Sequence, residues 1–175
     1  IAYRRVLMLI ARDRLDDAIA QADELHGRSP DSVWSRLASR RLLEQAMEAN
    51  RIAESTDDAS SHRLLVQLGL RVLSEDGPLE EVLADASSRS LASIVGSSAS
   101  VISRMPDVSE AERGEMLELA WGIFDVMLEA EPRNESFLTS RARLASDRGD
   151  DDESLRCWRI IAAGSPTGSP PWFEA

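Results

Sequence analysis

Lysine is missing from this 175-residue chain, and all twenty of its basic residues are arginines. A Schiff-base lysine and a phosphate-loop lysine are therefore excluded within these residues. The one cysteine, Cys157, rules out an internal disulfide. Histidine occurs only as His26 and His62. Aromatic residues make up 5%, so a core has to rest on Leu, Ile, Val, Ala and Met, which is a helix-forming vocabulary. No apolar run approaches the roughly 18–20 residues of a membrane span. The stretch from Val6 to Ala11 is too short, and it passes into an amphipathic segment. No signal-peptide pattern is visible, so the chain reads as soluble, with its compartment undetermined.

The charged residues are plentiful and uneven. The net charge is −11. Residues 107–175 hold 15 acids against 7 arginines, and residues 1–106 hold 16 acids against 13 arginines. Such a chain repels phosphate backbones, which makes nucleic acid a poor partner. It also lacks a basic amphipathic helix for an anionic membrane, so no membrane insertion is expected.

Proline marks a repeating pattern. Pro30, Pro132 and Pro166 each close a similar run. Twelve residues before them stand Ala18, Ala120 and Ser154. Eight before stand Ala22, Phe124 and Trp158, and five before stand Leu25, Met127 and Ile161. Steps of four and three put these side chains on one face of a helix. The last two prolines are separated by 34 residues, a period typical of stacked helical hairpins.

The same periodicity predicts helices through most of the chain. They are expected over residues 1–12, Leu15–Gly27, Val33 to about Ala53 with Asp31 or Ser32 as cap, and Ala59–Ser74. A further helix opens at Pro78, and Ser87 to Ser90 interrupts or bends the chain. The serine-rich segment 89–104 reads as a helix and not a linker, because Leu91, Ile94, Val95, Ser98, Ile102 and Met105 form a stripe. Ser109 and Glu112 make a capping box for a helix from Glu110 to Ala130. That helix buries Met116 or Leu117, then Ala120, Phe124, Met127 and Leu128. The last two helices run from Glu135 to Arg148 and from Asp151 to Ala163, turning at Gly149, with Asp150 as the cap.

The hairpin from Glu135 to Pro166 resembles a tetratricopeptide repeat. Leu138, Ala142 and Ala145 sit on its first helix, and Ser154, Trp158 and Ile161 on its second. Ala142 and Ser154 take the small-residue places where the paired helices cross. Trp172 follows Pro166 by six residues, as Leu138 follows Pro132, so a next repeat is expected to open near residue 170. The match is good for roughly residues 1–30 and 133–175, partial for 107–132 and poor for 31–106, where helices are irregular or inserted. The resemblance implies an all-α fold of about eight to nine helices in antiparallel hairpins, stacked as a TPR-like α-solenoid. It would form a single domain over 1–175 and be a fragment of a longer chain.

No nucleophile elbow, phosphate loop or dinucleotide fingerprint appears. Acidic pairs such as Asp16-Asp17 sit at helix starts, where the helix dipole favours them. Asp57, Asp58 and His62 are read as caps and a surface residue, not as a metal site. Glu153 and Asp152 near Cys157 disfavour its thiolate. No cofactor and no catalysis are expected. The resemblance implies a scaffold or adaptor that binds a protein or peptide in a helical groove, beside neighbouring repeats of the same chain. By that analogy Thr139 and Arg143 face the groove, as do Trp34, Leu37 and Arg41 from the less regular second hairpin. The plainer alternative is that the two arginines are solvated and Trp34 fills the hairpin core. Another reading is a regulatory or sensor helical domain within a larger protein.

Overall fold

A computed structural model describes residues 2–52, 59–75, 77–83 and 85–164. The described residues are helical throughout, joined by short turns. In chain order the helices are α1 (Ala2–Ile10), α2 (Leu15–Arg28), α3 (Val33–Ile52), α4 (Ala59–Ser74), the single turn α5 (Leu79–Val82), α6 (Ala86–Arg104), α7 (Glu110–Ala130), α8 (Glu135–Arg148) and α9 (Asp151–Gly164). The fold class is all-α, built of antiparallel helical hairpins. Two compact units divide the chain, Ile1–Leu79 and Glu80–Ala175. Among the described residues no helix is long and apolar enough to cross a membrane. Trp172 and the connector after Gly164 lie outside the described residues, as do Ser55 to Asp58.

In the first unit α1 pairs with α2 and α3 with α4, while α3 also packs on α2 and α1. Ala18 and Ala22 are fully covered, and so are Val6, Ala38, Leu42, Leu65 and Leu68. Arg71 of α4 reaches Asp23 of α2 at 2.6 Å, tying next-but-one neighbours. Of the two residues able to cap α3, Ser32 does so, its Oγ accepting from the Ser35 amide at 3.1 Å.

In the second unit α6 pairs with α7 and α8 with α9, and α7 packs on α8. Among the described residues no substantial contact joins α6 to α9, or α1 to α4 in the first unit. A closed four-helix bundle would need such a contact. Each unit is instead a short open row, in which an apolar face is covered by the next helices along the chain.

The serine-rich segment is helical, as its stripe predicts. Two of its hydroxyls are bonded within the helix: Ser103 donates to the Ser100 carbonyl at 2.8 Å, and Ser100 accepts from Arg104 at 2.7 Å. One expectation is corrected here. Residues 87–90 do not break the chain but form the first turns of α6, because the Asp85 carboxylate accepts from the Ser88 amide at 3.1 Å and starts the helix there. The other caps follow the expected positions, with Ser109 holding the Glu112 amide and Asp150 the Glu153 amide. Gly149 takes a left-handed φ of 73°, where a side chain would be strained.

Gly96 sets the spacing of α6 and α7. A Cβ there would lie 2.9 Å from Phe124 Cε2 and 3.2 Å from Ile123 Cγ2. Phe124 is fully buried, and the Phe137 ring of α8 lies 6.4 Å beyond it, so the ring has little room to retreat. Gly96→Ala should therefore lower stability on urea unfolding by about 1–3 kcal/mol, overpacking outweighing the gain in helix propensity. Gly122→Ala on α7, where the added methyl meets nothing within 4 Å, should raise stability by about 0.5–1 kcal/mol. Equal signs for the two variants would show that this contact does not govern the helix spacing.

Candidate functional site

Five residues were singled out by sequence, three on α3 and two on α8. On α3 the steps 34, 37 and 41 follow the helical repeat, so the three side chains share one stripe. The opposite side of the helix carries Ser35, Ala38, Ser39, Leu42, Leu43 and Ala46, all buried. Burial of that side leaves Trp34 58% exposed and Leu37 40% exposed. Trp34 thus does not fill the hairpin core. Its ring tilts at 33° against Tyr3 of α1, with centroids 5.4 Å apart. Arg41 is exposed and pairs with Glu44 at 2.5 Å, an i,i+3 surface pair of small energetic weight.

The Tyr3–Trp34 pair edges a cleft of about 620 Å³ lined by Ala2, Tyr3, Arg4, Leu7, Leu25 and Trp34. Val33 and Met8 are also largely exposed in this unit. His26 of α2 lies with Nδ1 3.1 Å from Ser35 Oγ, linking α2 to the first turn of α3. Lone exposed apolar side chains are ordinary, but an aromatic pair with exposed aliphatics beside a cleft is informative.

On α8 Arg143 is exposed and Thr139 is half-buried. These two lie in the second unit and the three α3 residues in the first. The residue between them, Arg141, is the one that sequence reasoning missed. Two positions from both, it lies about 200° around the helix and so points inward. It is only 6% exposed. Its Nη1 donates to the Trp121 carbonyl at 3.0 Å, and Nη2 pairs with Asp125 at 3.0 Å. Its Nε is 3.4 Å from Glu153 Oε1, near enough for an ion pair but not aligned as a hydrogen bond. The guanidinium lies 3.3 Å from the Trp121 ring centroid, and that of Arg148 4.2 Å from it. Arg148 also pairs with Glu118. A signal was present: Arg141 sits four residues after Phe137 and three after Leu138, at a position of the apolar stripe.

Glu153 accepts from Arg156 Nε at 2.6 Å and Nη2 at 2.8 Å. Those hydrogen bonds are the main reason its carboxyl is held below the ordinary value; burial opposes them, and the Arg156 and Arg141 charges add to them. Burial pushes the Cys157 thiol up to about 11, and the Glu153 charge adds to that. A thiol in this state is protonated at neutral pH and a poor nucleophile. Among the described residues no three of His, Cys, Asp and Glu come together as a metal site. A second concavity, about 500 Å³, lies between the end of α9 and the start of α8, with Leu138 and Ile161 at its floor beside Arg133 and Glu135.

The chemistry of the α7–α8–α9 cluster is that of a clamp, which is testable. Removing Arg141 takes a donor from the Trp121 carbonyl and uncovers the indole face, while the exposed Asp125 stays hydrated and Glu153 keeps Arg156, so Arg141→Ala should cost about 1–3 kcal/mol in chemical unfolding. Because the folded-state pKa of Glu153 is lowered, its contribution is present above the unfolded carboxylate value of about 4.3 and is lost as pH falls through the folded value. Glu153→Gln should accordingly flatten the acid limb of the stability curve. An unchanged acid limb would show that Glu153 carries no such linkage. A search of protein-family models and of curated proteins finds no match to this chain.

Proposed function

We propose that this chain is a non-catalytic helical scaffold segment, akin to tetratricopeptide arrays, that binds a protein or peptide on the α1/α3 face of its first unit. The observation that carries the reading is the exposure of Trp34 and Leu37 on α3 beside the Tyr3 cleft. A large aromatic kept half in water is costly to leave uncovered and well suited as an anchor for a partner. The surface is also preorganised: α3 is held by six buried positions on its far side, so little ordering cost falls on this chain when the partner binds.

Neighbour-by-neighbour packing within each unit is compatible with a row of hairpins, and of the nine phased positions Ala18, Ala22, Ala120, Phe124, Met127, Ser154 and Ile161 are buried while Leu25 and Trp158 are half-buried. Thr139 and Arg143 belong to the proposal more weakly, since neither lines either of the two clefts described above.

The test is a photo-crosslinking amino acid placed at position 34 or 37 of the chain in its native cell, with position 159 on exposed α9 as the comparison. A discrete protein adduct is expected from 34 and 37 and not from 159. Trp34→Ala and Leu37→Ala should each weaken binding of that protein by about tenfold or more while leaving the melting temperature nearly unchanged. Full binding by both variants would remove the basis for this site, and Arg143→Glu would then show whether α8 serves instead.

A further inference from the structure

We draw no further inference here: the strongest candidate, the apolar cleft of the first unit edged by Tyr3 and Trp34, belongs to the site already described, and nothing in the structure shows what covers it.

Discussion

Phe124 can lie against α6 only because residue 96 has no side chain. That close approach is the constraint from which the second unit follows. With α7 drawn onto α6, Phe124 and Ile123 are sealed on one side, and Phe137 of α8 meets Phe124 on the other. Once α8 is seated by that ring contact, Arg141 falls between α7 and α9, and the carboxylates that receive it come from both. A buried guanidinium would be unfavourable alone. Here it has a carbonyl, two carboxylates and an indole face, so its desolvation is compensated by several partners at once.

The first unit solves the same problem with different parts. Its seam is made by alanines and serines: Ala18, Ala22, Ser35, Ala38 and Ser39 are all covered. Small residues let α2 and α3 approach closely, and the large side chains that cannot be accommodated there are turned outward. Trp34 and Leu37 lie on the other side of α3 and stay exposed. A binding surface on this face would be a by-product of how tightly the far side of α3 is packed, and its rigidity would come from the same source.

Much of this was legible in the sequence, for physical reasons. Helix bounds were readable because the turns carry strong signals: Ser109, Asp150 and Gly149 cap or reverse the chain where their side chains or φ demand it. Of the positions phased to Pro30 and Pro132, Ala18, Ala22, Ala120, Phe124 and Met127 are buried, and Leu25 is only partly covered because it borders the Tyr3–Trp34 cleft. What escaped notice was of two kinds. The start of α6 was misplaced because Asp85, three residues before Ser88, outcompetes a run of serines that only looks like a break. Arg141 was passed over because a charge in an apolar stripe is normally discounted, and its partners are distant in sequence, at Trp121, Asp125 and Glu153. Partner distance of that kind is invisible to periodicity.

Every side-chain cation in the ion pairs described above is a guanidinium. Arginine keeps its proton far above neutrality, and Arg156 beside Glu153 is held further in the same direction. These pairs respond to pH from the carboxylate side alone. The electrostatic framework is therefore lopsided: vulnerable in acid, where Glu153 discharges, and insensitive at alkaline pH, where a lysine-built counterpart would lose its positive partners.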